Sequence, residues 1–203
     1  MAHHEFSLPV TEHQVRNLRA GDTVTLQGPL FGLRDATQIH LFDHCHPTRF
    51  DLRGHAVLHT APNVRRVPVS HAAPVGYEPV CIGTTTSARM ERFTRPLMER
   101  MGVRLIVGKG GLLEESRQMF QTMGGAYLTV IGGAAALETT WVRAVIDVDL
   151  DYLNPESLWK FDVAGFGPLL VGMDAAGNSL YRSVEQDVAA RRNEVLAGMG
   201  IKP

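Results

Sequence analysis

Cysteine is scarce, with Cys45 and Cys81 the only two among 203 residues. They stand far apart, which argues against a disulfide framework and fits reduced thiols in a cytoplasmic setting. Two thiolates also fall short of the three or four that an iron-sulfur cluster takes, so any such cluster would have to be held by another chain. Charge of one sign is not in excess either. Lys plus Arg total 20 against 21 Asp plus Glu, a net charge of -1, and this gives no electrostatic reason to expect a nucleic acid or an anionic membrane as partner. No apolar run approaches the roughly 18 residues that would span a bilayer. The start, Met1-Ala2-His3-His4-Glu5, carries neither the charged nor the apolar segment of a secretory leader, so a cytoplasmic location is expected.

What is present is enough apolar material, 44% of the chain, to bury a sizeable core, and the length suggests one domain covering residues 1–203. The pattern alternates strands and helices. Thr11 to Gln14 has capping-box spacing and opens a short helix with Val15 and Leu18 inward, ending near Gly21. Residues 22–28 alternate as a strand, and Asp35 can cap a second helix carrying Ile39, Leu41 and Phe42. Residues 55–61 read as a strand. With four prolines, 62–79 reads as loop plus at most one edge strand. Beyond it, 80–82 predicts a strand, and Met90, Phe93, Leu97 and Met98 line one helix face, with Pro96 as a kink or a shortening. The continuous apolar run 103–107 suits a buried parallel strand. A helix over 112–123, a strand over 126–131, a helix opening at Gly132-Gly133 and a strand over 141–148 complete the alternation. Asn154 to Ser157 reads as a turn into a short helix or strand, with Trp159, Phe161 and Phe166 in the core. Residues 168–173 and 179–181 flank a hairpin-like turn at Asp174 to Asn178, and a helix over 184–199 closes the chain. The expected fold is α/β, a mixed sheet with flanking helices and an antiparallel portion at each end.

Two glycine-bordered loops stand out: Gly83-Thr84-Thr85-Thr86-Ser87-Ala88-Arg89 and Gly108-Lys109-Gly110-Gly111. A strand-loop-helix unit brings such loops to one sheet edge, where free amides and cationic side chains favour a phosphate or carboxylate. The stretch 102–109 is not a nucleotide-binding P-loop: five residues separate Gly102 from Gly108, and Gly110 stands where a magnesium-holding hydroxyl belongs. His40, His44, Cys45 and His46 invite a metal reading, but no second ligand pair occurs at usual spacing, and partly exposed helix-end histidines are the preferred reading.

Read together, Gly21-Asp22 through Gly28, Arg34-Asp35, Thr85 through Glu91, Gly108 through Gly111, Gly132 through Leu137, Pro155 through Trp159, Phe166-Gly167-Pro168 and Asp174 with Gly177-Asn178 resemble the β subunit of L(+)-tartrate dehydratase and of two-subunit class I fumarate hydratase. The resemblance spans nearly the whole chain. It implies a swivelling β/β/α domain equivalent to the C-terminal domain of single-chain class I fumarases. It implies a partner α subunit holding a 4Fe-4S cluster, with none bound by this chain, in an αβ or α2β2 assembly. The implied substrate is a small 2-hydroxy dicarboxylate that loses water, with one iron acting as Lewis acid on the departing hydroxyl. Arg34 and Arg89 would grip carboxylates, Lys109 and Gly110 would complete substrate binding, and Thr85, Arg89 and Lys109 would be catalytic. Thr85 would be the base and Lys109 the stabiliser of the aci-carboxylate. Three positions depart from the family pattern: Thr84 where proline is frequent, Gln38 where histidine is frequent, and Ala61-Pro62 in place of Gly-Pro. The alternative is a stand-alone anion-binding or regulatory module of the same fold without catalysis.

Overall fold

A computed structural model describes residues 1–201. In chain order the elements are β1 (His3–Ser7), α1 (Glu12–Arg16), β2 (Thr23–Leu33), α2 (Asp35–Gln38), β3 (Ala56–His59), β4 (Asn63–Arg66) and β5 (Tyr77–Cys81). They continue with α3 (Thr94–Met101), β6 (Leu105–Gly108), α4 (Glu114–Met123), β7 (Ala126–Thr129), α5 (Ala135–Thr140), β8 (Val142–Asp149), β9 (Leu158–Met173) and α6 (Leu180–Gly198). A π-helical turn, Ile39–Asp43, prolongs α2, and a 3-10 segment, Ala88–Phe93, precedes α3.

The main sheet is mixed and closes on itself. β2, β3, β6 and β7 pair in parallel succession, and β9 runs antiparallel to both β7 and β2, completing a hydrogen-bonded ring. β1 adds in parallel to the first half of β2, and β8 adds antiparallel to the first half of β9. The short strands show why their sequences are apolar at consecutive positions. Ala56, Leu58, Leu105, Val107, Ala126 and Leu128 join one core cluster with Phe161, Leu169 and Val171, while the intervening Val57, Ile106 and Tyr127 join a second with Leu97, Met98, Met119 and Phe120 of α3 and α4. Both faces of β3, β6 and β7 are therefore covered, as parallel strands require.

Several expectations need correction. β1 went unread because only Phe6 is buried in it. Its pairing with β2 is parallel, and the antiparallel pairing at the N-terminal end is that of β2 with β9. The segment 62–79 contributes two strand pieces: β4 and β5 form a separate antiparallel pair, with Pro79 opposite Val64, and 80–82 is no part of the main sheet beyond β5's end. β9 begins at Leu158 and runs 16 residues, and Trp159, Phe161 and Phe166 are buried in it as expected. Ser179 makes only one bridge to Met173, and α6 starts at Leu180 under a Ser179 side-chain cap, so no hairpin strand follows the turn. Pro96 causes no kink. It lies in the first turn of α3, where its missing N–H is not needed by the helix.

One close contact fixes β2 against β9. A Cβ on Gly32 would sit 2.5 Å from Phe161 Cε2 and 2.9 Å from Thr60 Cγ2. Gly32→Ala should therefore destabilise the fold by about 1–3 kcal/mol through overpacking, read from urea unfolding, and Phe161→Leu in the same chain should recover part of that loss. Equal stability of Gly32→Ala and the parent would refute the contact.

Candidate active site

Because β2, β3, β6 and β7 are parallel, their C-terminal ends share one rim, the edge at which open α/β sheets place ligands. Arg34 follows β2, Lys109 follows β6, and the glycine turn Gly132-Gly133 follows β7. The segment 84–87 lies across this rim, joined to it by isolated bridges between Thr60 and Thr84 and between Thr86 and Lys109. Main-chain hydrogen bonds stitch it down. Thr85 N–H donates to the His59 carbonyl at 2.6 Å, Lys109 N–H to the Thr85 carbonyl at 3.4 Å, and Ser87 N–H to the Lys109 carbonyl at 3.0 Å. Thr85 thus sits in extended backbone, three residues before the 3-10 segment, and helical spacing is not what relates it to Arg89.

The two arginines meet on one carboxylate. Arg34 Nε donates to Asp35 Oδ2 at 3.0 Å, and Arg89 Nη2 donates to the same oxygen at 2.9 Å. Burial works to raise the Asp35 pKa, but the hydrogen bonds from Arg89 and Arg34 outweigh it and hold the carboxyl below its ordinary value. Glu156 supports this arrangement from the turn before β9. One of its oxygens lies 3.4 Å from Arg34 Nε, and the other accepts the Ala36 N–H at 2.7 Å. Asp35 is consequently not the side-chain cap of α2; Arg34 occupies that position and Glu156 supplies the acceptor. Gln38 is buried one turn on, with its Nε2 donating to the Arg34 carbonyl at 3.4 Å and its Oε1 without a partner among the described residues.

Lys109 is half-buried, and its Cδ would lie 3.7 Å from a Cβ on Gly132. Nearby, Glu138 of α5 is buried and accepts the Thr84 hydroxyl. Burial raises its pKa, opposed by the Thr84 hydrogen bonds and by the Lys109 charge. Gly110 and Gly111 have φ of +76° and +81°, values that a side chain would strain, and Gly111 packs so closely on the Tyr181 ring that a Cβ would lie only 3.0 Å from its carbons. Gly110 is exposed on the rim.

Beneath the loop, His59 Nδ1 lies 2.9 Å from Ser87 Oγ, and the Tyr127 hydroxyl donates to that same oxygen at 2.9 Å. Sequence reasoning missed His59, Tyr127, Glu138 and Glu156 as functional candidates. His59 did carry a signal, a histidine closing the apolar run Ala56-Val57-Leu58; Glu138 carried none. The histidines at 40, 44 and 46 do gather, with His40 stacked on His46 at 4.3 Å and bonded to the Tyr152 hydroxyl at 2.8 Å. Among the described residues no group of three or more His, Cys, Asp or Glu is arranged to hold a metal ion.

Burial drives the His59 pKa from 6.5 down to about 3, with Asp35 pulling it up and Arg89 pushing it further down. The unfolded chain takes its proton near 6.5 and the folded chain refuses it until about 3. The stability His59 lends is therefore complete above 6.5 and is lost as pH falls through that window, at up to about 1.4 kcal/mol per pH unit. His59→Gln should flatten the fall in urea-derived stability between pH 6 and pH 4 relative to the parent. Parallel pH profiles for the two proteins would contradict a buried neutral imidazole.

Comparison with known proteins follows the same lines as the geometry. The family model described as "Fumarase C-terminus" matches residues 3–184. L(+)-tartrate dehydratase subunit beta of Escherichia coli (strain K12) is 36% identical over 192 residues, covering 93% of this chain and 91% of that protein. A protein of Methanocaldococcus jannaschii provisionally named as the same subunit is 35% identical, covering 92% of this chain and 95% of that one. A Geobacillus stearothermophilus protein provisionally named fumarate hydratase class I is 36% identical over 179 residues, 88% of this chain, but this chain spans only 33% of its length. The match covers well over half the chain, and the chain belongs to the fumarase C-terminus family.

Proposed function

We propose that this chain is the β subunit of an iron-sulfur hydro-lyase that reversibly dehydrates a 2-hydroxy dicarboxylate, L-tartrate to oxaloacetate or malate to fumarate. The single observation that carries the reading is the convergence of Arg34 and Arg89 on one Asp35 oxygen, on the same rim as Thr85 and Lys109, whose main chains are hydrogen-bonded to each other. A pair of guanidinium groups already sharing a carboxylate is suited to exchanging it for a substrate carboxylate, since each presents planar N–H donors. With the substrate held there, the Thr85 side chain, as the alkoxide that the neighbouring cations favour, takes the proton from the carbon next to the carboxylate and becomes the hydroxyl. Lys109 places positive charge where the aci-carboxylate develops, and the glycine at 110 lets the substrate approach the backbone. The hydroxyl leaves from the neighbouring carbon, and the sum of the two steps is loss of water.

The residues of this chain do not fit an iron-sulfur cluster. Cys45 is exposed with Sγ against the Phe42 carbonyl, and Cys81 lies on β5. In our reading a 4Fe-4S cluster belongs to a partner α subunit and supplies Lewis acidity toward the departing hydroxyl. The assembly is αβ or α2β2, cytoplasmic, and the chain is one swivelling domain over 1–203. Among the described residues no helix is long and apolar enough to cross a membrane. The partner's footprint we place on the apolar surface next to the Gly132-Gly133 turn, where Ile131 is 84% and Leu137 54% exposed beside Trp141 and Leu170.

Anaerobic coexpression with a cluster-bearing α subunit and assay on L-tartrate and L-malate tests the proposal. Thr85→Ala should lower kcat by about 10²-fold or more with the complex and cluster intact, and Arg34→Lys or Arg89→Lys should raise KM by about tenfold. An intact complex that turns over neither substrate would remove the activity from consideration. In a separate assay, Ile131→Asp should block coassembly and reduce the concentration-dependent light scattering of the chain alone, without moving its melting midpoint by more than about 2 °C. Normal coassembly of that variant would move the footprint elsewhere.

A further inference from the structure

We propose that Tyr127, Ser87 and His59 form a buried positioning relay that holds Thr85 and Lys109 in register, so that it governs turnover rather than substrate affinity. The inference rests on the hydro-lyase reading. Its basis is that the same residues act twice. Through side chains, Tyr127 O–H donates to Ser87 Oγ at 2.9 Å, and Ser87 Oγ lies 2.9 Å from His59 Nδ1. Through main chain, the His59 carbonyl accepts the Thr85 N–H at 2.6 Å, and the Ser87 N–H donates to the Lys109 carbonyl at 3.0 Å. Movement of either hydroxyl or imidazole is thereby passed to the two residues that would handle the proton and the developing charge.

Hydrogen-bond accounting gives the relay a direction. Ser87 has one proton, and it is used only if Oγ accepts from Tyr127 and donates to His59 Nδ1, which assigns the imidazole proton to Nε2. That nitrogen is buried without a partner among the described residues. The Tyr127 hydroxyl is likewise buried, and burial pushes its pKa well above the ordinary phenol value against the hydrogen bond to Ser87. The charges that reach His59 are Asp35 and Arg89, so the relay also abuts the carboxylate clamp.

Packing of a core does not account for this chain of polar groups. His59, Ser87 and Tyr127 are all buried, and burying hydroxyls and an imidazole costs more than burying apolar groups of the same shape. The cost extends to β6, where a Cβ on Gly108 would sit 1.8 Å from Ser87 Oγ and 2.8 Å from the Tyr127 oxygen, so a central strand gives up a side chain to seat the two hydroxyls. An arrangement kept at that expense beneath Thr85 and Lys109 is a device for position.

The test uses Tyr127→Phe, Ser87→Ala, His59→Asn and His59→Leu, each in complex with the α subunit for kinetics and as the full chain for amide exchange. Tyr127→Phe and Ser87→Ala should lower kcat by about tenfold or more while KM stays within about twofold, the pattern of a misplaced reacting group. Exchange of the Thr85, Ser87 and Lys109 amides should speed up by about tenfold, with β2 and β9 amides unchanged. His59→Asn, which returns a polar atom near Nδ1, should retain more activity than His59→Leu. Unchanged exchange at those three amides, or acceleration spread evenly over the sheet, overturns the relay. A raised KM with full kcat overturns it in favour of a role in binding. Should the parent complex dehydrate no 2-hydroxy dicarboxylate, the proposed function fails alone, and amide exchange still decides the relay.

Discussion

The antiparallel seam between β2 and β9 is the constraint on which the rest of the molecule depends. Four parallel strands on their own would make an open sheet with an unpaired edge at each side. β9 is long enough to pair with β8 and β2 along its first half and with β2 and β7 along its second, and so ties the first parallel strand to the last. Bending is needed to achieve this, and β2 provides it by register shifts around Leu26 and a glycine at 28 with φ of +92°. On the partner strand Gly167 has φ of +148°, and a Cβ there would meet the Val24 carbonyl at 2.6 Å. Once the ring is closed, the ends of β2, β3, β6 and β7 have nowhere to go but one rim, and every charged group of the candidate site follows from that.

On the rim, electrostatics are arranged for exchange. The bonds from Arg34 and Arg89 to Asp35 are made by side chains that are 32%, 50% and 30% exposed, in the regime where an ion pair contributes little net stability. A pair that is weak but well oriented can be opened by an incoming carboxylate at small cost, while its geometry keeps both guanidinium groups aimed at one point. Glu156 secures this from the turn before β9, since it holds both Arg34 and the first turn of α2. Ring closure and ligand clamp are thus linked through the residues around Pro155.

The legible part of the chain was the part in which local rules and tertiary packing agree. The apolar runs of β6 and β7 announced strands buried on both faces, the Thr11 capping box marked α1, and the two glycine loops marked the rim. β1 was illegible because its pairing is satisfied by backbone alone, with one buried side chain to show for five residues. The length of β9 was hidden because nothing local joins the stretch around Trp159 and Phe161 to the strand at 168–173, and Gly165 and Gly167, both at positive φ, bend the chain between them. In the site, Arg34, Thr85, Arg89 and Lys109 could be named because the family resemblance gives them roles, the glycine loops by themselves marking only a place for an anion. Glu138, Glu156 and Tyr127 could not, since what makes them matter is a neighbour 40 to 120 positions away: Thr84 for Glu138, Ala36 for Glu156, Ser87 for Tyr127. His59 shows the intermediate case, a polar residue whose place at the end of an apolar strand was visible but whose partner was not.

The exposure of the clamp bears on how a threonine could serve as base. At about 4 Å a cation lowers the energy of an alkoxide by about 1 kcal/mol in water and about 4 kcal/mol at an effective dielectric near 20. Each 1.36 kcal/mol moves the hydroxyl pKa by about one unit, so Arg89 and Lys109 facing bulk water change Thr85 little. The same two cations under a cover that excludes water act several times more strongly, with no movement of the backbone that holds them. The surface best placed for a cover to rest on is the apolar one around Ile131 and Leu137, continuous with the Gly132 turn that packs against Lys109. Docking there would dry the site from the Lys109 side first, raising the effect of the ammonium before that of Arg89. Under the proposed function, association would then add to catalytic competence by removing water from this chain's side of the site.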